Sequence, residues 1–387
     1  MANILITARY PGAFNAVLPV YEALQGTSHA THVMAGGVAY ERFKQVNSHV
    51  IFSDTVHHQR DLGEVMHKAS RILSNKNIDL VVTGTASRDY GIDEAVTVAA
   101  NTHGVPVLTV QDYWATLQLT HFSELSIATR YAVMDAEAQK IMVERYKIPQ
   151  ERIAVTGQPA FDKYGQFPVL EKYRSIREQL GVKEDEKLVV YATQPNAGSV
   201  KTLEALVEGL KALSAHVRLA VMVHPREIDD MHEGTYTRYR AIASSYDHAF
   251  PFENIRDINR NDSDGLIAAA DLLVTQYSTV GMIAHHMLAA APYLFSGAHV
   301  AYFLLQGEGL GAQALMEEKG MTTLPPITAG AGFGQFGFIG LHRTLRLALF
   351  NADMRTKQQR AARQHYLPGI AAENVVKEVL RLLPSTA

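Results

Sequence analysis

Short apolar runs alternate with helical stretches along almost the whole chain, and this alternation limits the possible folds more than any other feature. The runs in the first half are Ile4–Thr7, His32–Met34, Val50–Phe52, Leu80–Val82, Val105–Val110, Tyr131–Met134 and Ile153–Val155. Strands that alternate with helices of about ten to fifteen residues are typical of βαβ units and a parallel sheet. The second half restarts the alternation after Gly157–Tyr173, an irregular stretch with two prolines that we interpret as a linker.

The length of the chain predicts more than one hydrophobic core. A chain of 387 residues with 47% hydrophobic content exceeds what one ordinary core holds. We therefore predict an α/β protein with two doubly wound parallel-sheet domains that face each other across a cleft. The expected boundaries are residues 1–165, residues 166–370, and a C-terminal helix at 371–387 that packs back on the first domain.

Composition excludes several functional classes. The net charge is -3 and both signs are interspersed, so neither a nucleic-acid groove nor a polybasic membrane patch is indicated. The absence of Cys excludes disulfides and thiolate chemistry and favours a reducing cytoplasm. The N-terminus is interpreted as a buried strand rather than a signal peptide, and no apolar run is long enough to span a membrane. Peripheral membrane association and the oligomeric state stay open.

No metal or cofactor is expected. His57-His58 and His285-His286 lack the spacing and supporting ligands of a zinc site, and we interpret both pairs as surface or packing residues. Asp262 and Asp264 lie in a polar stretch, Asn259–Gly265, that we interpret as a loop leading into a helix. The Gly-rich segment Thr328–Gly340 is interpreted as a surface loop, because no strand leads into it and no Lys-Ser or Lys-Thr follows it.

Three strand-like runs of the second half, Leu188–Val190, Leu219–Val223 and Leu272–Val274, each end in a polar cluster. Because the carboxyl ends of parallel strands open into one crevice, we expect these clusters to form one ligand site. The residues expected to bind nucleotide or phosphate are Gln194, Pro195, Asn196, Ser199, His224, Pro225, Arg226, Glu227, Gln276, Tyr277, Ser278 and Thr279. The alternative is that Pro and small polar residues only end strands and start helices.

The first domain offers residues for an acceptor and a general base. Asp112 follows an apolar strand beside Trp114, the only Trp, and we expect it to take a proton while the aromatic residues touch a sugar. An Asp that caps a loop is the alternative. Arg9 and Gly12 lie on the same expected wall, where Arg9 is either an anion ligand or a surface cation. Further base candidates are Asp89, Asp93, Glu94 and Asp135.

Several motifs resemble those of the GT-B glycosyltransferase superfamily. The stretches Thr7–Ala13 and Ile153–Asp162 are similar to segments of the non-hydrolysing UDP-N-acetylglucosamine 2-epimerases. Gln194-Pro195 and His224-Pro225, with Ser278-Thr279 downstream, resemble capsule-type transferases that use CMP-activated acidic sugars and their CDP-glycerol-using relatives. The resemblance covers nearly the whole chain in its alternation of elements but only about twenty residues in specific motif.

The resemblance implies transfer of a sugar from a nucleotide-activated donor to a glycan acceptor in surface polysaccharide biosynthesis. In such a reaction His224 donates to the departing phosphate, Ser278 and Thr279 bind it at a helix start, and Asp112 is the base. The alternative roles are a structural His, an N-cap, and a solvated helix start for Arg226 and Glu227. No metal is required for this scheme.

Two alternative functions stay open. The first is a UDP-N-acetylglucosamine 2-epimerase or related hydrolase, which ranks lower because the helix after Ser278-Thr279 lacks the carboxylate of that family. An early basic residue of its first helix is also missing, since this chain has Phe14-Asn15-Ala16 there. The second alternative is a non-catalytic protein that binds a nucleotide-sugar.

Overall fold

The structure is a computed structural model. It describes residues 1–46, 49–51, 62–85, 91–114, 127–196, 198–213, 216–227, 233–291, 297–307, 321–366 and 368–383. Contacts divide the chain into unit 1, Met1–Asp162 with Gly369–Ala387, and unit 2, Lys163–Pro368.

Each unit contains one all-parallel sheet. The strands are β1 Asn3–Ala8, β2 Ala30–Ala35, β3 Leu80–Thr83, β4 Val107–Val110, β5 Arg130–Val133, β6 Ile153–Val155, β7 Lys187–Ala192, β8 Val217–Met222, β9 Leu272–Thr275, β10 His299–Phe303 and β11 Gly332–Gln335. The strand order is β2-β1-β3-β4-β5-β6 in unit 1 and β11-β10-β9-β7-β8 in unit 2. Strands β3, β4, β9 and β10 are buried at every position, and β1, β5, β7 and β8 at all but one, because helices cover both faces of a parallel sheet. The predicted α/β fold class with two parallel sheets is confirmed.

Helices connect the strands in both units. They are α1 Pro11–Gln25, α2 Gly37–Val46, α3 Leu62–Asn75, α4 Ile92–Thr102, α5 Ala136–Glu144, α6 Val169–Leu180, α7 Gly198–Lys211, α8 Glu233–Ser244, α9 Phe252–Ala269, α10 Thr279–Ala290, α11 Pro325–Thr328, α12 Leu341–Phe350, α13 Ala352–His365 and α14 Ala371–Leu382. Short 3₁₀ turns lie at Gln150–Arg152, Pro159–Gln166 and Pro225–Glu227. No helix in the described ranges combines the length and apolarity that crossing a bilayer requires.

The C-terminal helix α14 packs within unit 1. Val375 and Val379 join the same buried cluster as Val17 and Leu24 of α1. The Asp162 carboxylate accepts the backbone N–H of Ala372 at 2.7 Å and two further N–H groups at the start of α14. A carboxylate at a helix N-terminus is stabilised by the exposed N–H groups and by the helix dipole.

A buried ion pair fixes the beginning of the central strand of unit 2. Asp271 is 2% exposed and precedes β9, and one of its carboxylate oxygens accepts from Arg177 of α6 at 2.8 Å. The same oxygen accepts the backbone N–H of Leu188 at 2.9 Å. Since several donors satisfy the buried charge, the pair can set how α6 and the strands of unit 2 meet.

The interpretation of Thr328–Gly340 as a surface loop is wrong in part, because strand β11 lies inside it. This strand pairs in parallel with β10, with Val300 opposite Gly332. A Cβ at Gly332 would come within 2.8 Å of the Tyr302 ring, so glycine is what allows the close approach. The side chains that normally reveal a strand are therefore absent here.

Two other irregular stretches are more helical than expected. Helix α9 runs through Asn259–Gly265, with a break at Asp262, where φ is −152° and ψ is 64°. The Asp262 carboxylate accepts the N–H of Gly265 at 2.8 Å and caps the helical segment after the break. The stretch interpreted as a linker contains the 3₁₀ turn Pro159–Gln166 and the first turn of α6.

Candidate functional site

The three predicted polar clusters of unit 2 follow strands that end side by side. Ala192 at the end of β7 lies opposite Met222 of β8, and Tyr191 lies opposite Val274 of β9. The chain reverses its winding direction between β7 and β9, since β8 lies on one side of β7 and β9 on the other. Ligands of open α/β sheets bind at such a switch point, outside the carboxyl ends of the strands.

Hydrogen bonds join the loop after β7 to the loop after β9. The Asn196 amide donates to Gln276 Oε1 at 2.8 Å and to the Tyr277 hydroxyl at 3.1 Å. In the other direction, the backbone N–H of Tyr277 donates to Gln194 Oε1 at 2.8 Å. The Gln276 amide continues into α7 by donating to the Thr202 hydroxyl at 3.0 Å. We call these two joined loops the switch-point junction.

Burial separates the residues of the switch-point junction into two groups. Gln194, Ser199 and Gln276 are buried, and Gln194 Oε1, Ser199 Oγ and the Gln276 amide form hydrogen bonds with other protein groups. These three residues therefore position the loops, whereas the sequence predicted them as ligand contacts. Asn196 and Tyr277 are only partly buried, and Asn196 Oδ1 has no hydrogen-bond partner in the described part of the chain.

The turn after β8 is fastened to β7 by a buried chain of hydrogen bonds. The backbone N–H of His224 donates to the Thr193 hydroxyl at 2.9 Å, and Thr193 in turn donates to the Glu227 carboxylate. Tyr239 of α8 donates to the other Glu227 oxygen at 2.7 Å. The His224 side chain is partly buried, and its neighbour Pro225 is exposed. The backbone of His224 is thus held by groups other than its own imidazole.

Glu227 corrects one interpretation from the sequence. A solvated helix start was expected there, but Glu227 is 2% exposed and both carboxylate oxygens accept from hydroxyl groups. It therefore supports the turn from inside the protein, which a dipeptide motif cannot reveal. Arg226 has its backbone in the 3₁₀ turn, and its side chain lies outside the described part of the structure.

The start of helix α10 presents backbone N–H groups beside the junction. Ser278 is the N-cap, and its hydroxyl accepts the N–H of Val280 at 3.2 Å. Thr279, the first helical residue, is exposed, and the first turn carries no acid. A helix N-terminus without acidic neighbours attracts an anion through its free N–H groups and its dipole. Capping by Ser278 uses the N–H of Val280 but not that of Thr279.

Replacing Gln194 by Ala tests its positioning role. The change leaves the N–H of Tyr277 without its acceptor, and we expect unit 2 to lose about 1–3 kcal/mol of unfolding free energy. Urea unfolding measures the loss. Pro195→Ala, at the exposed neighbouring position, is the matched control and should change stability by less than about 0.5 kcal/mol. Equal stability of the two variants would contradict the assigned role.

In unit 1, a buried carboxylate lies at the switch point between β1 and β3. Asp93 of α4 is 3% exposed and accepts from Thr7 and Thr83 at 3.1 Å each. Burial raises the pKa of Asp93, and the nearby Arg9 charge offsets this effect only in part. Burial and, after it, the negative charge of Asp93 raise the pKa of the partly exposed Glu94 to about 7.

Asp112 lies in the same unit and is held on two sides. Its carboxylate accepts from the Thr85 hydroxyl at 2.7 Å. A Cβ at Gly12 would come within 2.1 Å of Asp112 Oδ2, so the carboxylate lies against the first turn of α1 and requires glycine there. An anion in this position is stabilised by the helix terminus. Gly12 therefore makes room for Asp112.

Arg9 is buried. It is 8% exposed, its guanidinium lies 4.3 Å from the Tyr10 ring centroid, and a Cβ at Gly91 would overlap it at 2.4 Å. The alternative of a surface cation is therefore wrong. Close packing against glycine fixes this charge beside Asp93.

The expectation that Trp114 touches a sugar is also wrong for this structure. Trp114 is 1% exposed, and its indole N–H donates to Asp135 at 2.8 Å. Asp135 also accepts the N–H of Ala138 as the N-cap of α5, so this base candidate serves a structural role. Asp89 lies outside the described residues, as do His57 and His58. Among the residues that are described, no group of three His, Asp or Glu side chains is arranged to hold a metal ion.

Comparisons with known proteins show which families and folds the chain is similar to. A family model described as CDP-Glycerol:Poly(glycerophosphate) glycerophosphotransferase matches residues 40–283. None of the curated protein sequences matches the chain. A glycosyltransferase from Rickettsia africae has 15% identity and a TM-score of 0.68, over 100% of this chain and 99% of that one.

Two further solved structures are similar to this chain, MurG and a UDP-GlcNAc 2-epimerase. MurG from Acinetobacter baumannii has 16% identity and a TM-score of 0.61, over 98% of this chain and 100% of that one. A UDP-GlcNAc 2-epimerase from Neisseria meningitidis, bound to UDP-GlcNAc, has 14% identity and a TM-score of 0.64, over 98% of this chain and 100% of that one. The resemblance to GT-B proteins, including the epimerases, is confirmed at the level of the fold.

Proposed function

This chain belongs to the CDP-glycerol:poly(glycerophosphate) glycerophosphotransferase family, and from that premise we propose that it transfers a group from a nucleotide-activated donor to a hydroxyl acceptor. The family description and the glycosyltransferase neighbours support a transferase. The observation that carries the proposal is the switch-point junction, where Asn196, Tyr277 and the start of α10 come together at the carboxyl edge of the unit 2 sheet. A helix N-terminus at the carboxyl edge of a parallel sheet suits a nucleotide phosphate.

We propose a cytidine nucleotide as the activating group. The family description names CDP-glycerol, and the sequence motifs resemble transferases that use CMP-activated sugars. Both kinds of donor release CMP. The acceptor oxygen forms a bond to the distal phosphorus of a CDP-polyol or to the anomeric carbon of a CMP-sugar. The bond to the CMP phosphate oxygen breaks, and CMP leaves with the electron pair.

The proposed roles follow from where each residue lies. His224 donates to the departing phosphate, because its backbone is fixed through Thr193 while its imidazole remains partly exposed. The N–H group of Thr279 and the dipole at the start of α10 stabilise the negative charge that grows on the phosphate. Asp112 is the proposed base that accepts the proton of the acceptor. Fixed donors of this kind supply the charge stabilisation, so the proposal includes no metal.

Ligand-dependent thermal stability tests the choice of nucleotide. We expect CMP, CDP and CDP-glycerol to raise the melting temperature by roughly 5–10 °C at about 100 times Kd, and UDP, GDP and UDP-GlcNAc to raise it less. Thr279→Asp should abolish the shift, because it places a negative charge at the proposed phosphate position. The same substitution is compatible with a helix start, so the unliganded protein should keep its stability.

The matched control is Ala352→Asp, an exposed first position of another helix in unit 2, which should leave the nucleotide shift unchanged. CMP release must also depend on an acceptor. Turnover of UDP-GlcNAc without an acceptor would overturn the proposal in favour of an epimerase or hydrolase. Cytidine nucleotide binding without transfer across an acceptor panel would instead favour a non-catalytic binding protein.

A further inference from the structure

An apolar loop projects from unit 2 between β11 and α12. Phe336 is 37% exposed, Phe338 is 52% exposed and Ile339 is 96% exposed. Leaving large apolar side chains in water is unfavourable, and clustered exposed apolar groups mark interaction sites more often than isolated ones do. We call residues 336–339 the apolar loop.

The apolar loop is held in place by a buried side chain. Gln335 is 7% exposed, and its amide donates to the carbonyl of Ile339 at 3.2 Å and to that of Gly337. Its Oε1 accepts from the hydroxyl of Thr344 in α12 at 2.6 Å. Gly340 then turns the chain into α12 with a φ of 78°, a conformation that favours glycine. Ile339 is therefore presented outward by a bonded loop.

Helix α12 extends the exposed surface with positive charge. Leu341, Leu345 and Leu349 are buried, and the opposite side carries Arg343 and Arg346, both exposed. Residues at a spacing of three or four share one side of a helix, so exposed Phe350 continues the same row. Neither Arg343 nor Arg346 forms an ion pair with any residue that the structure describes.

The local sequence contains no negative charge to balance these cations. No Asp or Glu occurs between Met321 and Asn351. A groove of ≈ 500 Å³ beside Phe338 is lined on its other side by α7, which contributes Lys201, Glu204 and Glu208. Glu208 pairs with Lys211 at 2.8 Å, so α7 adds as many positive as negative charges. The surface as a whole is apolar and positively charged.

We propose that the apolar loop and the outer side of α12 dock on an anionic lipid surface. Interfacial protein segments combine exposed Phe, Leu or Ile with Arg or Lys, so that apolar groups enter the acyl boundary while cations contact acidic headgroups. The acid-free stretch from Met321 to Asn351 gives this surface the charge that an anionic bilayer attracts. The proposal does not depend on the enzymatic function, because none of these residues belongs to the switch-point junction.

Vesicle co-sedimentation of the full chain tests the proposal. We expect binding to vesicles of phosphatidylcholine with 30% phosphatidylglycerol, and little binding to pure phosphatidylcholine. Ile339→Asp should weaken binding by about 10-fold or more, since burial of one large apolar side chain is lost. Ile370→Asp is the matched control, because Ile370 is 60% exposed in unit 1 and should contribute nothing.

A charge variant separates the electrostatic part of the interaction. Replacing both Arg343 and Arg346 by Gln should weaken binding to anionic vesicles by roughly 20- to 30-fold, from about 1 kcal/mol per arginine. Added salt should reduce the difference between wild type and this variant. Absence of vesicle binding, or equal binding by the two Ile variants, would overturn the proposal. A dimer that Ile339→Asp dissociates, without any vesicle binding, would show that a second copy covers the loop instead.

Discussion

Replacing His224 by Ala is expected to lower kcat for CMP release by about 10²- to 10³-fold, the usual effect of removing one fixed donor from a developing negative charge. The backbone of this turn should survive the change. Its N–H bond to Thr193 and the buried contacts of Glu227 do not involve the imidazole. The unfolding free energy should therefore change by less than about 1 kcal/mol.

Two comparison variants make this test specific. His216 lies in the same unit, and its side chain is 68% exposed, so His216→Ala should leave kcat unchanged. His224→Gln keeps an N–H donor and should recover part of the activity lost in His224→Ala. Full activity of His224→Ala in a folded protein would refute the assigned role. A large loss of stability in His224→Ala would show that the imidazole is structural.

Many of the strands could be predicted from the sequence because they depend on local patterns. Apolar runs such as Leu80–Val82 and Leu272–Val274 predict buried strands, and the structure places strands over both. The strand β11 could not be predicted, because Gly332 and Gly334 provide no side chains to give a periodic signal. What permits this strand is the space beside Tyr302, which is a property of the packed unit.

The position of the candidate site in unit 2 could be predicted from the sheet topology, but the role of each residue could not. Parallel strands bring their carboxyl ends together, so clusters far apart in sequence could be expected to meet. Hydrogen bonds between them then determine which side chains remain accessible. Gln194 accepts the backbone N–H of Tyr277, and Glu227 accepts from the hydroxyl groups of Thr193 and Tyr239. These pairings connect residues that are distant in sequence, which no short motif encodes.

In unit 1 the roles of individual residues were even harder to predict from the sequence. Asp112 and Trp114 were chosen from the sequence because an acid beside aromatic residues at a strand end suits a sugar site. Burial removes Trp114 from the surface, while a different carboxylate, Glu94, has a pKa raised to about 7. The pKa of Glu94 is raised by its burial in the folded unit, together with the negative charge of Asp93. Both arise only after folding.

Acid is expected to destabilise unit 2 through two buried histidines of α10. His285 is 0% exposed and His286 is 7% exposed. The imidazole of His285 lies 2.9 Å from the Tyr302 hydroxyl and stacks on Tyr366 at 5.3 Å. Burial, together with the nearby His286 and His299, lowers the pKa of His285 to about 3, and burial lowers the pKa of His286 to about 3. Both are therefore neutral in the folded protein at pH values where an unfolded chain binds protons.

The sign of the effect follows from these values. An unfolded histidine has a pKa near 6.5, so between about pH 6.5 and 3 the unfolded state binds protons that the folded state does not. The stability that these two histidines contribute is therefore fully present above about pH 6.5 and is lost as the pH decreases. Each histidine contributes about 1.4 kcal/mol per pH unit, and the pair about 2.7 kcal/mol per pH unit. Because a typical protein has an unfolding free energy of about 5–15 kcal/mol, a decrease of one or two pH units would remove a large part of it.

Unit 1 should respond in the opposite direction over part of this range. The pKa of Glu94 is raised to about 7 in the folded protein, so its folded state binds protons before the unfolded state does. Lowering the pH from 7 toward 4.5 therefore favours the folded form of unit 1. Hydrogen exchange at pH 7, 6 and 5, corrected for intrinsic rates, can follow the two units separately through strands β9 and β1.

The expected result is a loss of protection in β9 that β1 does not share. His285→Gln provides the decisive variant, because it removes one titrating group while keeping an amide near Tyr302. Its dependence on pH should be about half as steep, even though the substitution itself costs stability at pH 7. The exposed His216→Gln is the control and should leave the slope unchanged. An unchanged slope in His285→Gln would show that other groups cause the acid sensitivity, and equal losses in β9 and β1 would show that the two units unfold together.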